Sequence, residues 1–316
     1  MSVKQIGLDR VVLTVDEEQV KTQEGVDMYK VNIKDKAIFI RPNALNGGKV
    51  DVNITCPKIF GDTNEKNVTV EDFDYLIETI QDTLEGEGVL LDVANARLGS
   101  FEVNYNVNDS KFYDVLKLIA KANINDNLKA FYVENKDGIQ SVKVKKKRYT
   151  VKVYKKSEHL QESFKPIDEE YVVRFEVSTN APDEKEKLFG GEVTLQGLID
   201  NWERVEEWYR NCIKLTIKKP IEKYIKQLED DCLALLERGV KPSNVVATLM
   251  LREDLVDVVA FENAMKKHYK ATGKKKPHSV IKSAHKRMLQ LDENKYNQVV
   301  GNVSKLEELY DLIGLE

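Results

Sequence analysis

Three segments of the chain alternate apolar and polar residues with a period of two, which is the pattern of β-strands that bury one face. The segments are 101–107, 151–158 and 172–178, and their apolar sides consist of valine, phenylalanine and tyrosine. Their polar sides carry, in chain order, Glu102, Asn104, Asn106, Lys152, Tyr154, Lys156, Glu158, Arg174, Glu176 and Ser178. An antiparallel sheet with one solvated face gives the same alternation. The pattern therefore predicts a sheet and leaves the role of its polar face open.

The rest of the chain predicts an α+β protein with an all-helical C-terminal region. Further strands are predicted at 10–15, 27–33, 36–42, 50–56, 128–134 and 139–144, and helices at 69–84 and 110–122. This order predicts an antiparallel sheet with helices packed on one face, built from two related α/β halves. After Pro220 the apolar residues recur at helical spacing, in 221–239, 242–250, 254–270, 278–291 and 303–312. We expect one domain over residues 1–215 and a helical domain, a candidate DNA-binding domain, over residues 216–316.

Composition excludes several classes of protein. Of the 316 residues, 41% are apolar and 32% are charged, as in ordinary folded domains. No stretch reaches the roughly 18 to 20 apolar residues that a membrane helix needs, and MSVKQIGLDR lacks the apolar core of a secretory signal. The cysteines Cys56, Cys212 and Cys232 are odd in number and widely spaced. They predict reduced thiols in a cytoplasmic protein and argue against a zinc site.

Positive charge is concentrated in two stretches although the net charge is −4. Residues 143–156 and 266–287 hold most of the clustered lysines. Such stretches are either solvated faces or the sites where a protein of negative net charge binds a polyanion. If they bind DNA, the contacts are expected from Lys143, Lys145, Lys146, Lys147, Arg148, Lys152, Lys155, Lys274, Lys275 and Lys276.

The polar strand faces hold the groups that phosphodiester cleavage requires. Hard carboxylate oxygens bind Mg²⁺ or Mn²⁺, and the cation neutralises the charge that builds up on a phosphate in the transition state. A tyrosine can serve as nucleophile when nearby positive charge favours its phenolate. The resulting phosphotyrosine conserves the energy of the broken bond, so the strand can be rejoined without ATP. A histidine-based nuclease and an NTPase are disfavoured, because paired histidines and glycine-rich phosphate loops are both missing.

Four segments together resemble one family of replication proteins. They are VNITCPKIFGDTN (52–64), LLDVANARLGSFEVNYNV (90–107), RYTVKVYKKSEHLQ (148–161) and YVVRFEVS (171–178). Their order is similar to that in the gene II-type nicking initiators of filamentous phages and, more distantly, in the trans-acting initiators of Gram-positive rolling-circle plasmids. The resemblance implies a metal-dependent enzyme that nicks and rejoins one DNA strand to start rolling-circle replication of a phage or plasmid.

Position by position, the resemblance implies a set of site residues. Tyr154 is the implied nucleophile, with Lys156 as its electrostatic partner and Arg174 beside it. The implied ligands of Mg²⁺ or Mn²⁺ are Glu102, Glu176 and Glu158. Tyr149 and Tyr171 are alternative nucleophiles. The sequence departs from the family where its Arg-Ile-Asp strand reads Ser100-Phe101-Glu102, without the basic residue.

The resemblance implies DNA at a replication origin, either single-stranded or extruded, as the partner. It implies no association with a membrane. A host helicase and a second copy of the chain, forming a homodimer, are further candidate partners. Two other classes of function stay open. One is a DNA-binding replication protein on the same fold that does not cleave. The other is a structural or assembly protein, which burial of segment 143–156 in a subunit interface would favour.

Overall fold

The computed structural model of the chain divides into two compact units. Unit 1 consists of Met1–Ser110 and Lys143–Ile213, and unit 2 of Lys111–Val142 and Lys214–Glu316. The structure describes residues 6–33, 37–43, 45, 47–60, 67–108, 113–125, 129–135, 138–156, 172–251, 256–273, 282–283, 286, 299–300 and 310–311. The boundary near residue 215 that the sequence suggested for domains stays a prediction.

The strands of unit 1 form an antiparallel sheet. They are β1 (Gly7–Asp16), β3 (Asn32–Ile33), β4 (Ile38–Pro42), β5 (Lys49–Thr55), β7 (Leu98–Asn108), β10 (Thr150–Lys155) and β11 (Val172–Thr179). Their spatial order is β3-β4-β5-β1-β7-β11-β10, and each neighbouring pair is antiparallel. β2 (Lys21–Thr22) and β6 (Val89–Leu90) pair separately. β7 and β11 lie inside this sheet, so the predicted polar faces occupy its centre.

The helices of unit 1 cover the apolar face of the sheet. They are α1 (Cys56–Ile59), α2 (Phe73–Gly86), α4 (Pro182–Phe189), α5 (Leu195–Asp200) and α6 (Trp202–Ile213). Trp208 of α6 contacts Phe101 of β7, with ring centroids 5.2 Å apart, and Tyr209 donates a hydrogen bond to the carbonyl of Phe175. Trp202, Trp208 and Tyr209, the three aromatics of α6, are all buried and belong to the core.

Unit 2 is mainly helical. Its elements are α3 (Tyr113–Asn125), β8 (Lys129–Asn135), β9 (Gly138–Lys145, ending in unit 1), a π-helical turn (Lys214–Lys218), α7 (Lys219–Glu237), α8 (Pro242–Leu251), β12 (Val256–Asp257), α9 (Val258–Ala271) and β13 (Val299–Val300). A core of Cys232, Leu235, Leu236, Val245, Leu249, Phe261, Ala264 and Met265 joins α7, α8 and α9. Gly239, with φ of 82°, follows α7 and ends the helix.

The predicted α+β class is confirmed, with two local corrections. Segment 27–33 is mostly not a strand, because the Asp27 side chain accepts a hydrogen bond from the Tyr29 amide and starts a 3₁₀ turn over Met28–Lys30. The C-terminal region also contains a short parallel ladder between β12 and β13, which the helical pattern did not predict. Thr69 and Asp72 form a capping box immediately before α2. The helices predicted at 278–291 and 303–312 lie almost entirely outside the described residues.

Two further findings bear on the class of protein. Cys56, Cys212 and Cys232 are free and buried. Within the described part of the chain, no helix is both long and apolar enough to span a bilayer.

Candidate functional site

The register of the sheet brings the polar residues of β7, β10 and β11 into rows on one face. In one row, Glu176 lies between Asn104 and Lys152. In the next row, Arg174 lies between Asn106 and Tyr154. Since successive side chains of a strand point to opposite faces, residues two apart in each strand share the face. The predicted common face of Glu102, Tyr154 and Glu176 is therefore present.

Three carboxylates meet on this face. One oxygen atom each from Asp9, Glu102 and Glu176 lies within 4.8 Å of the others. Asp9 and Glu176 are buried, at 5% and 4% exposure. The sequence predicted Glu102 and Glu176 as ligands but missed Asp9, and the predicted Glu158 lies outside the described residues. We call Asp9, Glu102 and Glu176 the acidic cluster.

A β-bulge explains why Asp9 was missed. Strict alternation along β1 puts Asp9 on the side of Val11 and Leu13, which is the apolar face. The pairing of β1 with β7 shifts between Leu8 and Arg10, and both Leu8 and Asp9 are buried. Such a bulge inserts an extra residue and redirects the side chains before it. The available signal was a single carboxylate inside an otherwise apolar strand.

Arg174 holds the cluster together from inside the protein. Its side chain is 0% exposed, Nη1 donates to Asp9 Oδ1 at 2.7 Å, and Nε donates to Asn106 Oδ1 at 2.8 Å. Asn106 in turn donates to Asn67 Oδ1 at 3.1 Å. A buried charge must be paired and hydrogen-bonded to be tolerated. Arg174, predicted beside the metal ligands, thus orients Asp9 and offsets part of the cluster's negative charge.

A buried amide completes the set of oxygen donors. Asn104 Nδ2 donates to Asp9 Oδ1 at 2.9 Å, while Asn104 Oδ1 is buried without a hydrogen-bond partner among the described residues. An unpaired buried acceptor is costly unless it binds something. Carboxylate and amide oxygens are the ligands that Mg²⁺ and Mn²⁺ prefer. The donor set therefore fits a divalent cation held by the acidic cluster, with Asn104 next to it.

Tyr154 is hydrogen-bonded directly to the cluster. Its phenol donates to Glu176 Oε1 at 2.5 Å and accepts from Lys156 Nζ at 3.2 Å, and the side chain is 6% exposed. Lys152 Nζ lies 3.9 Å from the ring centroid and 3.5 Å from Glu176 Oε2. Burial, and then the charge of Glu176, raise the pKa of Tyr154 well above 10, although Arg174 lowers it. Without a cation the phenol therefore keeps its proton, so lysine charge alone does not produce the expected phenolate.

Glu102 and Lys156 of the site also have pKa values shifted from their ordinary values. Burial, followed by the charges of Glu176 and Asp9, raises the pKa of Glu102 well above 4.5. Burial, followed by the charge of Arg174, lowers the pKa of Lys156 from 10.5 to about 7. Both shifts favour the neutral form of the group, through protonation of Glu102 and deprotonation of Lys156. Removing charge in this way is the expected response of a buried cluster in the absence of a counter-ion.

The basic residues of the stretch 143–156 differ in how far their side chains are exposed to solvent. Lys143, Lys145, Lys147 and Arg148 are exposed, and Lys146 and Lys152 are half-buried. Lys155 is buried at 6% exposure, so this predicted DNA contact has little surface to offer a phosphate. The predicted contacts Lys274, Lys275 and Lys276 lie outside the described residues.

The two alternative nucleophiles differ in what the structure shows of them. Tyr149 is half-buried and contacts Trp208 edge to face, with ring centroids 6.4 Å apart. It lines a cleft that also reaches Glu102. Tyr171 lies outside the described residues. Tyr154 is the one described tyrosine whose hydroxyl has a hydrogen bond to the acidic cluster.

Comparison with known proteins gives little further information. No family model matches the chain, and no curated protein matches it. One solved structure to which it is similar is that of a rolling circle replication initiator protein from Geobacillus stearothermophilus. The match has 13% sequence identity and a TM-score of 0.29, and covers 55% of this chain and 74% of the other. At these values the similarity carries no information on what this chain does.

Proposed function

We propose that this protein starts rolling-circle replication by nicking one DNA strand at an origin and later rejoining it, through a phosphotyrosine at Tyr154. The observation that carries the proposal is the hydrogen bond from the Tyr154 phenol to a carboxylate of a buried three-carboxylate cluster. It puts the nucleophile within reach of a candidate metal site. The resemblance of the four sequence segments to nicking initiators supports the same reaction.

In the proposed reaction, Tyr154 Oη attacks the phosphorus of one phosphodiester. A bond forms between Oη and phosphorus, and the bond between phosphorus and O3′ breaks, leaving a 3′-hydroxyl and a 5′-phosphotyrosine. Glu176, which already accepts the phenol hydrogen bond, is placed to take its proton. The departing O3′ takes a proton from solvent. Rejoining is the reverse attack by a 3′-hydroxyl, which needs no ATP because the phosphotyrosine retains the bond energy.

The neighbouring residues have separate tasks. Asp9, Glu102 and Glu176 would hold Mg²⁺ or Mn²⁺, with Asn104 as a further oxygen donor. When bound, that cation supplies positive charge that stabilises the phosphate oxygens and lowers the cost of forming a phenolate. Lys156 donates to Oη and so stabilises negative charge on the nucleophile. Arg174 keeps Asp9 in place from beneath.

The proposal is tested by incubating the protein with supercoiled DNA that carries the regions flanking the protein's own coding sequence. With Mn²⁺ or Mg²⁺ we expect nicked circles that carry covalently attached protein. Tyr154→Phe should reduce the rate more than about a thousandfold, because the attacking oxygen is gone. Tyr75→Phe is the matched control, since Tyr75 is exposed on α2. Equal nicking by wild type and Tyr154→Phe would show that Tyr154 is not the nucleophile.

One alternative function is a DNA-binding replication protein that does not cleave. The substituted strand Ser100-Phe101-Glu102 and the raised pKa of Tyr154 favour it. Binding of origin DNA without any nicked product, in either cation, would support this alternative. A host helicase, a homodimer and a cytoplasmic location stay predictions from the sequence.

A further inference from the structure

A cleft of about 360 Å³ opens on the polar face of the sheet in unit 1. Glu102 lines it and also belongs to the acidic cluster, so the cleft and the cluster adjoin. The remaining lining residues come from β1, β5, β7, β11 and the turn from β9 to β10. The full lining is Arg10, Val12, Asn53, Ser100, Phe101, Glu102, Lys145, Lys146, Lys147, Arg148, Tyr149, Thr150, Ser178, Thr179 and Asn180.

The charge of this cleft is opposite to that of the cluster beside it. Its lining has five cationic side chains and one carboxylate, that of Glu102. Arg148 forms ion pairs with Asp183 and Glu184, at 2.8 and 3.6 Å. Arg10 is exposed and lies directly opposite Glu102 in the pairing of β1 with β7. A concave surface with this excess of positive charge favours an anion.

Arg10 is the cationic residue of the cleft that lies on β1, next to Asp9 in the chain. It follows the bulge at Asp9, and its strand partner Glu102 is a member of the cluster. Arg10 brings a guanidinium to this edge of the cleft from β1. A guanidinium binds phosphate oxygens with two parallel hydrogen bonds, which fixes orientation as well as charge.

The other lining groups suit a nucleotide. Asn53 and Asn180 add amides that can both donate and accept hydrogen bonds. A volume of about 360 Å³ is that of a small-ligand pocket.

We propose that this cleft binds one nucleotide of single-stranded DNA next to the cleaved bond, with Arg10 and Lys145 contacting its phosphate. The proposal rests on the proposed function for the identity of the strand. It adds a binding site and a residue, Arg10, that the sequence did not indicate. It also explains why a protein of net charge −4 can bind DNA beside three carboxylates.

Binding to a fluorescein-labelled dT12 oligonucleotide, measured by anisotropy in EDTA, tests this site separately from cleavage. Arg10→Gln and Lys145→Gln should each weaken binding at least about threefold and reduce the salt dependence, d log K/d log[salt], by about 0.7 in magnitude. Arg41→Gln and Lys187→Gln are matched controls, because both residues are exposed and lie outside the cleft. The controls should bind dT12 as the wild type does.

A further pair of variants serves as a control at Tyr149, whose ring packs against Trp208 on the other face of the sheet. Tyr149→Phe and Tyr149→Leu should both bind dT12 within about twofold of wild type. Thermal unfolding of each variant shows whether it is folded. Unchanged dT12 binding in Arg10→Gln and Lys145→Gln, or equal affinity for a 12-base-pair duplex, would overturn the proposal. Loss of dT12 binding in these variants sustains it even when no DNA is nicked, a result that would count against the proposed function alone.

Discussion

Glu102 is a half-buried carboxyl whose ionised form is disfavoured by desolvation and by the charges of Glu176 and Asp9. Its pKa in the folded protein is raised well above 4.5, the value expected in the unfolded chain. The folded state therefore binds the proton more tightly, and the free energy of unfolding falls as pH rises above about 4.5 towards the folded pKa. In EDTA, Glu102→Gln should be indistinguishable from wild type in stability at pH 4 and more stable at pH 8. Urea unfolding at each pH measures this difference.

The control for this prediction is Glu207→Gln, because Glu207 is exposed on α6. Its stability should follow that of the wild type across the same pH range. A Glu102→Gln variant that is less stable than wild type at pH 8 in EDTA would show that the carboxyl is ionised and favourably paired. With Mn²⁺ present the order should reverse, because the variant lacks one of the ligand oxygens.

Arg174 is the residue whose loss should cost the most stability. It is fully buried, and removing it leaves Asp9 buried without its cation. Breaking a buried ion pair in this way typically costs about 3 to 5 kcal/mol. We expect Arg174→Met to lower the free energy of unfolding by that amount in EDTA, measured by urea denaturation. Arg210→Met removes a half-exposed pair with Glu206 and should cost less than about 1 kcal/mol. Similar losses in the two variants would mean that Asp9 does not depend on Arg174.

At the scale of elements, an irregularity in β7 sets the geometry beside the site. The pairing of β1 with β7 shifts between Val12 and Leu13, and a Cβ on Gly99 would lie 2.2 Å from Thr14 Oγ1. Lys185 Nζ also donates to the carbonyls of Leu98 and Gly99. Gly99→Ala must therefore displace Thr14 or the strand, at a cost of about 1 to 3 kcal/mol.

Gly86 provides the matched control for Gly99. It lies at the end of α2, with nothing within 4 Å of a built Cβ and no positive φ. Gly86→Ala should stabilise the protein by about 0.4 to 1 kcal/mol, because the unfolded chain loses freedom. Thermal or urea unfolding compares the two variants. Equal effects would mean that the sheet absorbs the extra methyl group at Gly99 without moving.

The regular parts of these elements could be predicted from sequence, and the irregular parts could not. Alternation placed Glu102, Tyr154 and Glu176 on one face because β7, β10 and β11 are regular at those positions. The position of Asp9 on the polar face could not be predicted, because a bulge breaks the period of two there. A bulge depends on strand pairing rather than on local residue type. The unpartnered oxygen of Asn104 and the cleft are products of tertiary packing, which one strand's pattern does not contain.

At the scale of the whole molecule, positive and negative charge are separated on one sheet face. The acidic cluster lies at the paired centre of β1, β7 and β11, and the exposed cations lie at the turn from β9 to β10. A net charge of −4 hides this separation. In the proposed function, the cleft would attract single-stranded DNA and the cluster would attract the cation.

Cation binding should stabilise unit 1 more than unit 2, because all members of the acidic cluster belong to unit 1. A ligand at 100 times its Kd stabilises the folded state by about 2.7 kcal/mol, or roughly a hundredfold in the opening equilibrium. Hydrogen–deuterium exchange in Mn²⁺ and in EDTA measures this. We expect hydrogen exchange of the amides in β1, β7 and β11 to slow in Mn²⁺. Exchange of the amides in α7 and α9 should change little, because compact units of a protein can open independently of one another. The double variant Glu102→Gln/Glu176→Gln should show no slowing. Equal slowing in both units, or slowing in the double variant, would contradict a cation held by these carboxylates.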